Sequence, residues 1–137
     1  RQYKKKGLTK AEILKKFGAT EQGLRRLEKW VHPLVRTQVA AFMKMHQRHP
    51  IIVEVPLLYE AQFERLFDMT VFIFSPRAIR RVRALKRGMS AKLFETLDGK
   101  QMKPSEKALR ADFVLLNLEK KSFKKQAKEL SKLLQKK

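Results

Sequence analysis

Residues 51–60 read Ile-Ile-Val-Glu-Val-Pro-Leu-Leu-Tyr-Glu, a nearly continuous apolar run that ends in a proline and a carboxylate. Such a run is typical of a strand buried on both faces, as in a parallel sheet covered by helices. Pro56 has no backbone N–H, so it marks the point where strand pairing stops. Ligands of such sheets bind beyond the carboxyl ends of the strands, which predicts a site close to Glu60.

The rest of the chain predicts an α/β fold with three strands in a parallel sheet, flanking helices and a helical N-terminal part. Besides residues 51–55, the predicted strands are Thr70–Phe74 and Phe113–Leu116. A capping box at Thr9-Lys-Ala-Glu12 opens the first helix, and Pro33 is expected to kink or restart a later one. The segments divide into a helical part (1–50), a core (51–76 and 111–137) and an intervening segment (77–110) that is mostly helical.

Composition excludes several classes of protein. The 137 residues are enough for one core, and 43% of them are hydrophobic, which argues against general disorder. No apolar run approaches the roughly 20 residues of a membrane span, so no membrane association is expected. The chain has no cysteine, which excludes disulfides and thiolate chemistry and fits a cytoplasmic protein.

The net charge of +20 is unevenly distributed. Residues 51–76 are slightly acidic, whereas the segments before and after them are strongly basic. A field of this kind attracts polyanions, whether nucleotides, nucleic acid or anionic lipid. For the C-terminal lysines, a solvated helix surface is the simpler interpretation.

Candidate catalytic clusters are few. The sequence contains neither HExxH nor clustered acids, and no metal site is predicted. Arg80, Arg83 and Arg87 share one face of a predicted helix at i, i+3 and i+7. Forked guanidinium groups bind phosphate oxygens well, although a solvated helix carries similar residues. The pattern alone therefore leaves phosphate binding and a plain surface equally open.

Six segments in order suggest a family. They are His32-Pro33, Val-Pro-Leu-Leu-Tyr-Glu (55–60), Phe67-Asp68, Arg83-x-x-x-Arg87-Gly, Gln101-Met-Lys-Pro-x-x-Lys107 and Ala111-Asp-Phe-Val-x-x-Asn117. Together they resemble dephospho-coenzyme A kinase, a P-loop kinase of the nucleoside-monophosphate-kinase type. The resemblance implies transfer of the ATP γ-phosphoryl group to the 3′-hydroxyl of dephospho-CoA, with Mg²⁺ as cofactor.

The resemblance also assigns roles to individual residues. The helical part with His32 and Arg36, and the turn at Pro56, Leu57 and Leu58, correspond to the substrate-binding side. Residues 77–110 correspond to a lid that closes over ATP. The catalytic candidates are Glu60, Arg83 and Arg87, and the ATP-binding candidates are Lys86, Gln101, Lys107 and Asn117.

Two departures from the family pattern stand out. The family often has arginine and isoleucine where this chain has Leu97 and Asp98, which puts one lid contact to phosphate in doubt. A P-loop also requires G-x-x-x-x-G-K-[ST]. Gly18 and Gly23 have the right spacing, but Leu24 and Arg25 follow them.

Two hypotheses result. In the first, the chain is the C-terminal portion of a kinase whose P-loop lies in a missing N-terminal segment, and the chain alone is inactive. In the second, it is a catalytically dead relative whose basic charge binds RNA, as in a ribonucleoprotein. The missing P-loop favours the second hypothesis, and the intact family segments favour the first.

Overall fold

The computed structural model describes Glu12, residues 21–46 and residues 50–135. The chain divides into two compact units, with the boundary in the sequence between Glu54 and Val55. In the described part of the first unit there is one long helix, α1 (Glu21–Met45). The predicted helix from Thr9 lies outside the described residues except for Glu12, which is helical. The predicted restart at Pro33 does not occur, because α1 continues through this residue. The Thr37 hydroxyl donates to the Pro33 carbonyl at 3.1 Å, one turn later.

The second unit holds the sheet and the remaining helices. Two strands, β1 (Val71–Phe74) and β2 (Phe113–Leu116), pair in parallel with Val71 opposite Phe113 and Phe74 opposite Leu116. A 3-10 turn (Glu64–Leu66) precedes β1. Three helices connect the strands and one follows them: α2 (Arg77–Lys86), α3 (Ala91–Gly99), α4 (Pro104–Arg110) and α5 (Lys120–Leu134). The α/β class is therefore confirmed.

The prediction of a third strand at residues 51–55 was wrong. These residues form no strand, and within the described residues β1 and β2 pair only with each other. The Ile52 side chain is 93% exposed. An apolar, β-branched sequence becomes a strand only where a neighbouring strand accepts its backbone hydrogen bonds, and 51–55 has none here.

Both faces of the two-stranded sheet keep exposed apolar side chains. Val71 and Ile73 point to one face, and Val114 and Leu116 point to the other, since paired residues of parallel strands share a face. All four are at least 38% exposed. The buried apolar residues of this unit are Tyr59, Ala61, Phe63, Ala84, Phe94 and Leu130. Both faces of the sheet thus carry apolar side chains, as in a sheet buried on both sides, and the described residues cover each face only in part.

Glycine and serine define the ends of the helices between the strands. Gly88 follows α2 with a φ of +85°, a left-handed conformation that a side chain disfavours. The Ser90 hydroxyl then caps α3 by accepting from the Leu93 N–H at 3.2 Å. Gly88 and Ser90 therefore mark the end of α2 and the start of α3. No described helix is long and apolar enough to cross a membrane.

Candidate functional site

Glu60 lies in a nearly buried ion pair with Lys107. The Lys107 Nζ is 2.9 Å from Glu60 Oε1, and the Met102 N–H donates to the same oxygen at 2.7 Å. The side chains of Lys107 and Glu60 are 9% and 18% exposed. Burial alone would raise the pKa of Glu60, but the hydrogen bonds from Lys107 and Met102 hold that pKa below its usual value. Glu60 is therefore a carboxylate whose charge is matched from within the protein.

The local sequence explains this geometry. After Pro56 the chain winds into turns in which the Ala61 and Phe63 N–H groups donate to the carbonyls of Leu57 and Leu58, at 3.0 and 2.8 Å. The Phe63 side chain is 2% exposed, so it anchors the turn in the core. Lys107 occupies the second turn of α4, where it is buried. Two short, well-anchored segments thus fix the carboxylate and the ammonium against each other.

A second set of contacts, which the sequence did not predict, involves Tyr59 and the residues at the end of α4. The Arg110 guanidinium lies over the Tyr59 ring at 4.7 Å and contacts Glu64 Oε1 at 2.5 Å. The Thr70 N–H and hydroxyl both donate to Asp112 Oδ2 at 2.7 Å, and these hydrogen bonds lower the pKa of Asp112. Thr70 and Asp112 directly precede β1 and β2, so this set lies at the amino ends of the strands.

Arg83 lies at the opposite end of the sheet. Its guanidinium donates to the carbonyls of Asn117 and Leu118, at 3.2 and 3.1 Å. The Asn117 N–H donates to the Phe74 carbonyl at 2.7 Å, which extends the strand pairing by one bond. Arg83 and Asn117, two predicted site residues, are therefore brought together where parallel α/β sheets bind ligands.

The lid candidates α2 and α3 are joined by ion pairs between arginines and acids. Arg77 and Arg80 both contact the carboxylate of Asp98, the former at 3.1 Å, and Arg77 and Arg81 contact Glu95. Arg80 also donates to the Ser75 carbonyl at 3.0 Å. Asp98, one of the departures from the family pattern, thus has a definite structural role as the acceptor for two arginines.

The other predicted residues are more dispersed. His32 and Arg36 lie one turn apart on the same side of α1, and both are partly buried. Leu57 and Leu58 are also partly buried, as parts of the turn before Glu60. The remaining predicted residues are exposed: Pro56, Lys86, Arg87 and Gln101. No described contact joins the Glu60–Lys107 pair to the Arg83–Asn117 pair.

Metal ligands are scarce in the described part of the chain. It contains no group of three or more histidine, cysteine, aspartate or glutamate side chains arranged to hold a metal ion. Mg²⁺ commonly binds through one or two carboxylates together with substrate phosphates and water.

Comparison with known proteins identifies the family. A family model described as dephospho-CoA kinase matches residues 3–122. Proteins named dephospho-CoA kinase from Zymomonas mobilis and Rhizobium meliloti are each 32% identical, over 82% and 79% of this chain and 58% of their own lengths. One from Agrobacterium fabrum is 39% identical over 66% of this chain and 48% of its own length.

The chain therefore spans about half of the length of the curated relatives it matches. The matched region includes all the segments that carry the resemblance, from His32 to Asn117. Since the family model covers most of the 137 residues, this chain belongs to the dephospho-CoA kinase family.

Proposed function

We propose that this chain supplies the coenzyme-binding helices, the lid and part of the sheet of a dephospho-CoA kinase. The reaction transfers the γ-phosphoryl group of ATP to the 3′-hydroxyl of the ribose in dephospho-CoA, with Mg²⁺ as cofactor and in the cytoplasm. The observation that carries this proposal is the family match over residues 3–122. The arrangement of Arg83 and Asn117 at the carboxyl ends of the strands supports it.

Arg83 and Arg87 are the proposed catalytic residues. They lie one turn apart at the end of α2, so their guanidinium groups leave the helix on the same side. Phosphoryl transfer spreads negative charge over the phosphate oxygens, and positioned arginines stabilise that charge. Arg83 reaches main-chain carbonyls, which are weak competitors for a guanidinium, and Arg87 is exposed. Lys86, also exposed, adds a further cation for ATP phosphates.

Glu60 and Lys107 are better suited to positioning than to direct contact with ATP. Each already satisfies the charge of the other, and a phosphate contact by Lys107 would require this nearly buried pair to separate. Their pair links the turn after Pro56 to α4 and, through the Met102 N–H, to the segment that follows α3. We propose that it fixes the C-terminal base of the lid while α2 and α3 move.

Substrate recognition is assigned to the remaining residues. His32 and Arg36 on α1 are proposed to bind dephospho-CoA together with the turn at Pro56, Leu57 and Leu58. Asn117 is proposed to face the ATP adenine, and Gln101 to contact ATP from the lid. Mg²⁺ supplies charge neutralisation to the ATP phosphates when bound.

We further propose that the 137 residues on their own do not catalyse phosphotransfer. The reaction needs a loop of the form G-x-x-x-x-G-K-[ST], whose backbone N–H groups hold phosphate and whose lysine reaches the β/γ oxygens. The sequence contains no such motif. The active enzyme would then combine this chain with an N-terminal segment that carries the loop.

The test uses a protein in which the P-loop segment of the Zymomonas mobilis relative is joined to the start of this chain. Arg83→Ala is expected to lower kcat at least about 100-fold, the scale of losing one preorganised charge donor. Arg81→Ala is the matched control, because Arg81 contacts Glu95 on the lid surface; its kcat is expected to stay within about threefold of the parent. Equal effects of the two changes would refute the roles assigned here.

A further inference from the structure

Helix α5 presents six exposed lysines that none of the described ion pairs involves. They are Lys120, Lys121, Lys124, Lys125, Lys128 and Lys132. The helix carries one acidic residue, Glu129. By contrast, the arginines of α2 are largely engaged with Asp98, Glu95 or main-chain carbonyls. The cations of α5 therefore remain available to a partner.

The six lysines form one continuous surface. At about 100° per residue they fall within an arc of about 140° around the helix axis, and they extend over about 18 Å along it. Only Ser131 shares that arc, so it contains no acidic, aromatic or apolar side chain. We call this surface, formed by the six lysines, the lysine face of α5. It is too long and too uniform to be matched to one small anion.

Most of the opposite side of α5 packs against the rest of the unit. Leu130 is buried, and Phe123 and Ala127 are partly buried on the side that packs against β2. Gln126 fixes this packing, since it accepts from the Leu116 N–H at 2.9 Å and donates to the Leu116 carbonyl at 3.1 Å. A helix that binds a membrane surface inserts its apolar side into the lipid. On α5 only Leu133 and Leu134, at the C-terminal end, remain exposed on this side. Most of the apolar side of α5 is therefore not free to insert into lipid.

We propose that the lysine face of α5 binds the phosphate backbone of a nucleic-acid double helix. Lysine is a flexible point charge that suits repeated phosphates, and the face has no aromatic ring on which an unpaired base would stack. It also lacks the arginine, asparagine and glutamine side chains that read base edges. Binding is therefore expected to be independent of sequence and strongly dependent on salt. This inference does not rest on the proposed kinase activity.

The test measures binding of the 137-residue chain to 20-base-pair RNA and DNA duplexes of equal length by fluorescence anisotropy. Four central lysines are changed together in one variant: Lys121→Gln, Lys124→Gln, Lys125→Gln and Lys128→Gln. The matched control removes the same charge from four exposed lysines elsewhere: Lys29→Gln, Lys44→Gln, Lys92→Gln and Lys100→Gln. Circular dichroism verifies that all three proteins fold alike.

The α5 variant is expected to bind both duplexes at least about tenfold more weakly at 0.1 M salt. The slope of log K against log salt concentration is expected to be smaller in magnitude by about 2 to 3.6 for this variant than for the parent. The control is expected to lose less than about threefold. Equal losses in both variants would overturn the proposal, because they would reflect net charge alone. So would binding to only one kind of duplex, or an α5-dependent affinity for phosphatidylserine vesicles that exceeds that for the duplexes.

Discussion

The Glu60–Lys107 pair gives the sharpest prediction for stability. Lys107→Met keeps the length of the side chain but removes its charge, leaving a carboxylate that is 18% exposed with only the Met102 N–H as donor. Glu60 Oε2 has no hydrogen-bond partner among the described residues even in the parent protein. Removing one member of a fully buried pair costs about 3–5 kcal/mol. Residual exposure and the Met102 bond reduce the expected loss to about 2–3 kcal/mol.

Urea unfolding followed by circular dichroism measures this loss, and Lys103→Met provides the control. Lys103 is exposed and just precedes α4, so its change is expected to cost less than about 0.5 kcal/mol. The double variant Glu60→Leu/Lys107→Met is expected to be more stable than Lys107→Met, because no buried charge is left alone. The interpretation of the pair as buried and coupled would be refuted if Lys107→Met lowered the free energy of unfolding by less than 0.5 kcal/mol. It would also be refuted if the effect of the double variant equalled the sum of the effects of Glu60→Leu and Lys107→Met measured separately.

Three further predictions concern other contacts. The stability that Glu60 contributes is present above its usual pKa of 4.5 and is lost as pH falls through its lowered folded pKa. Between pH 5 and 3, the free energy of unfolding measured in urea should therefore fall less steeply for Glu60→Gln than for the parent protein. Gly88→Ala, at φ +85°, should lower the free energy of unfolding by about 1 kcal/mol, whereas Gly99→Ala in α3 should be neutral or stabilising. Equal effects of the two variants on the thermal unfolding midpoint would contradict this. Gln126→Ala should accelerate hydrogen exchange of the Leu116 amide and lower the free energy of unfolding by about 1–2 kcal/mol. Unchanged exchange would show that the Gln126 side chain does not protect the Leu116 backbone.

Local patterns in the sequence predicted the elements that depend only on local chemistry. β2 matches its prediction, and β1 begins one residue later than expected, because both are short apolar runs between turn residues. Gly88 and Ser90 likewise mark helix ends that backbone conformation and capping determine. Residues 51–55 differ because strand formation depends on a partner, which no property of the segment itself supplies.

The site was predictable in part for a related reason. The family segments gave Glu60, Lys107, Arg83 and Asn117 as candidate site residues, but residue identity does not show which side chains meet. The structure pairs Glu60 with Lys107 and Arg83 with the loop at Asn117, at different ends of the sheet. The Asp98 contacts with Arg77 and Arg80 were also missed. A search for acids about 20 residues after an arginine-rich helix would have indicated candidates, although charge alone does not fix the pairing.

We propose that this chain carries the coenzyme-binding and lid functions of a dephospho-CoA kinase. The most direct test of this proposal incubates ATP, Mg²⁺ and dephospho-CoA with the 137-residue chain alone and with the same chain joined to a P-loop segment, and identifies the product by mass spectrometry. The joined protein is expected to convert dephospho-CoA to coenzyme A, which carries the transferred phosphoryl group on the ribose 3′-oxygen, and the chain alone to form none. Turnover by the chain alone would contradict the proposed need for a P-loop segment. A properly folded joined protein that forms no 3′-phosphorylated product would contradict the proposed kinase function.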